Sequence, residues 1–86
     1  MTVLKGVRKF DGRDLNKQVA KCPEVRETRR GKGDHVVHVG TNGHIVTIPD
    51  RTTGKGIWCA IGRQLKALGI FLGVVAFFVL VIAVNI

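Results

Sequence analysis

The stretch HVVHVGTNGHIVTIP, residues 35–49, decides the fold of this chain. Two runs rich in β-branched residues flank GTNG at residues 40–43, and Asn42 followed by Gly43 is favoured chemistry for a tight hairpin turn. Pro49 cannot donate a backbone hydrogen bond to a neighbouring strand, so it ends the second run. The sequence therefore predicts a β-hairpin over residues 35–49.

A short helix is predicted before this hairpin. Leu15, Val19 and Cys22 recur at helical spacing, which is typical of a helix with one apolar face. Asp11 or Asp14 can act as its N-cap, because a carboxylate at that position accepts from free backbone N–H groups. We expect this helix to pack on the sheet that contains the hairpin.

The remaining segments complete an α+β fold. Residues 24–30 carry strand formers, whereas residues 1–12 fit a strand, a helix or a docked arm equally well. After the hairpin, Thr52 or Thr53 can cap a second helix. The apolar residues of that helix fall on one face and are Ile57, Ile61, Leu65 and Leu68. This predicts an α-β-β-β-α domain in which both helices cover one face of a three-stranded antiparallel sheet.

The end of the chain predicts a membrane anchor. Residues 67–86 read ALGIFLGVVAFFVLVIAVNI and contain no charge. A helix of this length rises about 30 Å, which matches the hydrocarbon thickness of a bilayer. Arg63 and Lys66 flank the segment on its N-terminal side, which favours a cytoplasmic position for what precedes it. We expect a domain at 1–66 and a single-pass transmembrane helix at 67–86 in the cell inner membrane.

Two further features of this end bear on its organisation. No helix breaker separates the second helix from the apolar segment, so we expect one continuous rod. Gly69 and Gly73 form a Gly-x-x-x-Gly pair, which allows two membrane helices to approach closely. Self-association through these glycines is therefore one predicted contact.

The charge balance indicates a polyanionic partner. The formal net charge is +8, and every charged residue lies at or before Lys66. RNA, DNA and anionic membrane lipid all satisfy this requirement. The cationic residues that enter and leave the hairpin are candidates for phosphate contacts, and they are Arg29, Arg30, Lys32, Arg51 and Lys55.

The sequence predicts neither a metal site nor a cofactor. Two histidines of the hairpin, His35 and His38, point to opposite faces of a regular strand. Cys22 and Cys59 complete no ligand set, and we expect both to be small buried residues in a reducing compartment. A single histidine among cations has another use, since it can accept the proton of a ribose 2′-hydroxyl.

Residues 29–70 resemble the HicA family of bacterial toxin–antitoxin systems. The shared pattern is a short helix, a Gly-x-His opening of a strand, a V-T-I-P strand, a Gly-Lys loop and a helix that ends in L-K-x-x-G-I. The resemblance implies a double-stranded-RNA-binding-like fold, metal-independent endoribonuclease (hydrolase) action on mRNA, and neutralisation by a HicB-type antitoxin. The family's Gly-Ser-His pattern appears here as Gly33, Asp34 and His35, so the resemblance assigns the catalytic role to His35.

Two classes of function remain open at this stage. The first is a membrane-anchored RNA-binding toxin that cleaves mRNA. The second is a non-catalytic RNA- or protein-binding module that is tethered to a bacterial or phage membrane assembly. Cleavage that depends on His35 would distinguish them.

Overall fold

A computed structural model describes residues 1–72 of the chain. The elements in chain order are β1 (Thr2–Leu4), α1 (Gly12–Val19), β2 (Val25–Arg30), β3 (His35–Gly40), β4 (Ile45–Pro49), α2 (Lys55–Leu68) and β5 (Ile70–Leu72). Strands β2, β3 and β4 form an antiparallel sheet in that order, and β1 pairs with β5 in a second, two-stranded sheet. The predicted α+β class is confirmed.

The predicted hairpin is present as β3 and β4, which pair antiparallel. Its connection is closed by a hydrogen bond from the Gly43 N–H to the Gly40 carbonyl oxygen at 3.0 Å. The side chain of Asn42 also donates to the carbonyl oxygen of Ala67 at 2.9 Å. Because Ala67 lies in the last turn of α2, the hairpin loop is attached to the end of that helix.

Helix α1 begins after Asp11, one of the two predicted caps, and ends at Val19, before Cys22, the last residue predicted on its apolar face. Asp11 is its N-cap, and the Asp11 carboxylate accepts from the Asp14 N–H at 3.1 Å. The backbone of Gly12 lies against the end of β4, where its N–H donates to the Arg51 carbonyl oxygen at 2.9 Å. A Cβ at this position would overlap the carbonyl oxygen of Pro49. Only glycine, which has no Cβ, therefore fits at the first position of α1.

The core lies between the sheet and the two helices. Its fully buried apolar side chains come from α1, β4, α2 and β5, and the largest are Leu15, Val19, Val46, Ile48, Leu65 and Ile70. Val46 and Ile48 are two residues apart on β4, so their side chains point to the same face of the sheet. Both helices pack against this one strand.

Helix α2 differs from its prediction at the N-terminus. Its N-cap is Gly54, without a side-chain hydrogen bond, so the predicted cap by Thr52 or Thr53 is wrong. Thr53 is instead buried, and its hydroxyl has no hydrogen-bond partner within residues 1–72. Ile57 is 47% exposed because it lies in the first turn, beyond the core, whereas the other predicted apolar residues of α2 are buried.

The predicted continuous rod is wrong at Gly69. This residue adopts a left-handed conformation with φ of 91°, and its N–H donates to the carbonyl oxygens of Leu65 and Lys66. Such a cap satisfies the last carbonyls of a helix and ends it, and glycine is favoured there because it has no Cβ. Gly69 thus ends α2, whereas Gly73, the other residue predicted for helix–helix self-association, lies outside the described residues.

Residues after Gly69 return to the domain. Strand β5 pairs parallel with β1, with Ile70 opposite Thr2, and Ile70 is completely buried. The folded domain therefore extends past the boundary predicted at residue 66. Gly73 and the rest of the predicted membrane segment lie outside the described residues. Within residues 1–72, no helix combines the length and apolarity that crossing a membrane requires.

Candidate nucleic-acid interface

A groove between α1 and the sheet gathers several cationic side chains. It has a volume of about 380 Å³ and is lined by Arg13, Asn16, Lys17, Thr28, Arg29, Arg30, Val36 and Asp50. We call it the basic groove. Four of its lining residues are cationic and one is a carboxylate, so its net potential is positive. This groove is suited to an anionic ligand.

A chain of hydrogen bonds, centred on buried side chains, connects residues that line one side of the basic groove. The Asn16 amide nitrogen donates to the Ile48 carbonyl oxygen and to the Asp50 carboxylate, both at 3.2 Å. Its side-chain oxygen must therefore accept from His38 Nε2–H, at 2.7 Å. His38 Nδ1 is then the acceptor, and the Thr28 hydroxyl donates to it at 2.8 Å. The chain joins β2, β3, α1 and the end of β4.

This chain of hydrogen bonds is neutral at its centre. His38 is completely buried, and desolvation lowers its pKa to about 4. The imidazole is uncharged near pH 7, with one donor and one acceptor nitrogen, as its two partners require. His38 is thus a structural residue that orients Asn16 and Thr28 beside the groove.

His35 occupies a different environment at the start of β3. Its side chain is 43% exposed, and Nδ1 lies 3.0 Å from the Lys32 carbonyl oxygen. A carbonyl oxygen only accepts hydrogen bonds, so Nδ1 must carry the proton in the neutral ring. Nε2 is then the basic nitrogen. A neutral, partly exposed imidazole with a defined basic nitrogen can accept a proton from a ligand.

The turn that precedes β3 places a carboxylate beside this histidine. Arg51 Nε donates to the Asp34 carboxylate at 2.8 Å, and the other Asp34 oxygen lies 3.7 Å from His35 Nδ1. Both groups of the Asp34–Arg51 pair are about half exposed, so water screens the interaction. The pair compensates the charge of Arg51 next to His35.

The structure divides the residues that the sequence predicted as RNA contacts into three places. Arg29 and Arg30 line the basic groove. Lys32, Arg51 and the candidate catalytic residue His35 lie at the adjoining end of the sheet, because residues 31–34 connect β2 to β3 and His35 is opposite Pro49 in the register. Lys55 lines a separate groove.

Two cationic residues of the basic groove were not predicted. Arg13 and Lys17 lie on α1, both are exposed, and they complete the groove opposite β2. Their spacing of four residues, offset from the apolar positions Leu15 and Val19, places them on one polar face of a helix. This spacing was the sequence signal that could have identified Arg13 and Lys17 as neighbours on one surface.

A second groove lies between α2 and β5 and has a volume of about 690 Å³. We call it the apolar groove. Its apolar walls include Phe10 and Trp58, whose rings meet edge to face with centroids 6.0 Å apart. Cys59 is exposed on its surface, so the expectation of a buried Cys59 is wrong, whereas Cys22 is buried as expected. The full lining is Lys9, Phe10, Lys55, Trp58, Cys59, Gly62, Arg63, Lys66, Phe71 and Leu72.

No protein-family model, curated protein or solved structure matches this chain.

Proposed function

We propose that this chain is a HicA-like RNA-binding toxin whose cationic domain is held at the cytoplasmic face of the inner membrane by its apolar C-terminal segment. A HicB-type antitoxin is the proposed protein partner. The observation that carries the RNA-binding part is the basic groove, in which α1 and β2 present four cationic side chains to one space. Proteins bind nucleic acids chiefly through such contacts with phosphates.

The fold supports RNA as the polyanion. The order α1-β2-β3-β4-α2 is the order that the resemblance to HicA implies for a double-stranded-RNA-binding-like domain. Domains of that type recognise RNA mostly through shape, phosphates and 2′-hydroxyl groups rather than through base sequence. Arg13, Lys17 and Arg30 supply phosphate contacts, and the exposed Thr28 hydroxyl oxygen beside them can accept a hydrogen bond from a ribose 2′-hydroxyl.

The proposed reaction uses His35 as the general base. In this reaction Nε2 removes the proton of a ribose 2′-hydroxyl, and the 2′-oxygen attacks the adjacent phosphorus. The bond from phosphorus to the 5′-oxygen breaks, and that oxygen takes a proton from the imidazolium. The products are a 2′,3′-cyclic phosphate and a 5′-hydroxyl end. Nδ1–H donates to the Lys32 carbonyl oxygen throughout, so Nε2 is the nitrogen that gains and loses the proton.

Asp34 favours a second candidate function, a non-catalytic RNA- or protein-binding module of a bacterial or phage membrane assembly. Its carboxylate lies 3.7 Å from the His35 ring and pairs with Arg51. A negative charge at this position repels the phosphate that His35 would have to approach. In that case the basic groove binds a ligand and no bond is broken.

Induction of the chain in bacteria distinguishes the two candidates. If the chain is a toxin, we expect growth arrest and mRNA cleavage for wild type and for His44→Ala, a matched control in the exposed hairpin loop. We then expect His35→Ala to lose both growth arrest and cleavage, because a positioned base raises the rate of the chemical step about 10²- to 10⁴-fold. Arrest without cleavage, unchanged in His35→Ala, would exclude the nuclease.

A further inference from the structure

The apolar groove has a charge pattern that the proposed RNA site does not use. Its rim carries four cationic side chains, those of Lys9, Lys55, Arg63 and Lys66. None of the residues that line it is acidic. The positive potential at its mouth is therefore uncompensated from within the groove, and it favours an anionic ligand.

The walls of this groove require a second property of that ligand. Phe71 and Leu72 of β5 and Trp58 of α2 give it a mostly apolar interior. Contact with hydrocarbon is favourable there, because apolar surface is removed from water. A ligand that combines an anionic group with hydrocarbon chains satisfies both the rim and the walls. A phospholipid with a net negative headgroup has this combination.

The aromatic rings of this groove suit the boundary region of a membrane. Phe10 and Trp58 contact each other edge to face, with an angle of 85° between planes. Lys9 Nζ lies 5.2 Å from the centre of the Phe10 ring. The rings are thus engaged with each other and with a cation. Tryptophan with neighbouring cations, here Lys55 and Arg63 in the same groove lining, is characteristic of the boundary between headgroups and acyl chains.

The position of the groove along the chain agrees with a membrane surface. Leu72, which lines the groove, is followed in the sequence by GVVAFFVLVIAV, residues 73–84, which carries no charge. A segment of this composition favours hydrocarbon over water. Where it enters a bilayer, the groove lies beside the entry point.

We propose that the apolar groove docks the domain onto anionic phospholipid, with the cationic rim on headgroup phosphates and Trp58 at the boundary of the acyl chains. This inference rests on the membrane-anchoring part of the proposed function and is independent of RNA cleavage. Docking orients the domain so that α2 and β5 face the bilayer. The basic groove, which is lined by α1, β2 and β3, is a separate surface.

Trp58 is the single tryptophan of the chain, so its fluorescence reports this site directly. The full chain is reconstituted in phosphatidylcholine vesicles with or without phosphatidylglycerol, with bromine-labelled acyl chains as quenchers. We expect quenching of Trp58 that requires phosphatidylglycerol and decreases with added salt. Arg63→Glu should weaken the docking equilibrium at least about fivefold, since one basic residue near an anionic surface contributes about 1 kcal/mol. Lys21→Glu, an equal charge change at an exposed position outside both grooves, should leave docking unchanged.

A second measurement uses Cys59. Its thiol is exposed in the groove and Cys22 is buried, so a maleimide reagent should label Cys59 first. Vesicles that contain phosphatidylglycerol should slow this labelling, and phosphatidylcholine alone should not. Equal quenching in both lipids, equal losses in the two charge variants, or a Trp58 response to RNA instead of lipid would overturn the proposal. Flotation with neutral vesicles tests the anchor separately, because it does not depend on the groove.

Discussion

His38 Nε2 and the side-chain oxygen of Asn16 lie 2.7 Å apart, and this buried hydrogen bond joins the central strand of the sheet to helix α1. Asn16 also donates to the Ile48 carbonyl oxygen, so one amide satisfies polar groups on two strands. A buried polar group that loses its partner costs about 1–3 kcal/mol. The stability of the basic groove therefore depends on a residue that bears no charge.

The first prediction concerns this amide. Asn16→Ala should lower the free energy of unfolding by about 2 kcal/mol, because His38 Nε2–H and the Ile48 carbonyl oxygen lose their partner. Urea unfolding followed by circular dichroism measures the change. Gln18→Ala on the same helix is the control, since Gln18 donates to the Asp14 carboxylate in a less buried position. Equal effects of the two changes would contradict the role assigned to Asn16.

The second prediction is a loss of stability in acid that depends on His38. Its folded pKa of about 4 lies below the ordinary value of 6.5. The unfolded chain thus binds more protons between these values, and the contribution is present above pH 6.5 and lost as pH falls towards 4. The full loss is up to about 3 kcal/mol. Urea unfolding at several pH values should show this slope. It should persist in His44→Gln and disappear in His38→Gln, and an unchanged slope in His38→Gln would refute it.

The third prediction uses two glycines. Gly12→Ala should destabilise the domain by about 3 kcal/mol, because the new methyl group meets the backbone carbonyl oxygens of Pro49 and Arg51. Gly56→Ala should have the opposite sign, a gain of up to about 1 kcal/mol, since its Cβ would enter open space inside α2. Thermal unfolding of both variants checks the pair. A tolerated Gly12→Ala would mean that α1 does not lie against β4 as described.

The fourth prediction tests the basic groove as a phosphate site. Arg30→Gln should weaken binding of an RNA oligonucleotide and reduce the slope of log K against log salt by about 1, the expected effect of one lost phosphate contact. Titrations of the full chain at several salt concentrations measure both quantities. Lys21→Gln removes the same charge from an exposed position outside the groove and should leave the slope unaltered. The groove is not the RNA site if the two variants behave alike.

The fifth prediction separates the two candidate functions at Asp34. Asp34→Ser removes the carboxylate beside His35, frees Arg51 from its pairing at 2.8 Å and restores the Gly-Ser-His pattern of the HicA family. If the chain is a nuclease toxin, we expect faster RNA cleavage in this variant, and the double variant with His35→Ala should be inactive. RNA that stays intact with Asp34→Ser would support the non-catalytic module.

Local patterns were sufficient for the centre of the fold. Asn42 and Gly43 between two β-branched runs predicted the hairpin. Asp11, one of two predicted caps, does begin α1. Turns and caps depend on residues close together in the chain. The same reasoning failed at Gly69. An apolar run such as residues 70–72 is compatible with a helix or a buried strand, and its partner β1 is distant in sequence.

The site was predictable only in part for a related reason. Arg29 and Arg30 were found because they are adjacent to the hairpin, whereas Arg13 and Lys17 reach the same groove from another element. Lys55 was assigned to that set from its place in the chain, but the fold directs it to the apolar groove. Charge alone does not indicate on which surface a side chain is presented.

The parallel pairing of β1 with β5 has a consequence for how the protein is made. The ribosome releases Thr2 early and Ile70 late, and these two residues face each other in the finished sheet. β1 therefore stays without its partner strand until nearly the whole domain has emerged from the ribosome. The core also lacks Ile70 during that interval. A nascent chain interrupted before Ile70 should consequently be a good substrate for chaperones and proteases.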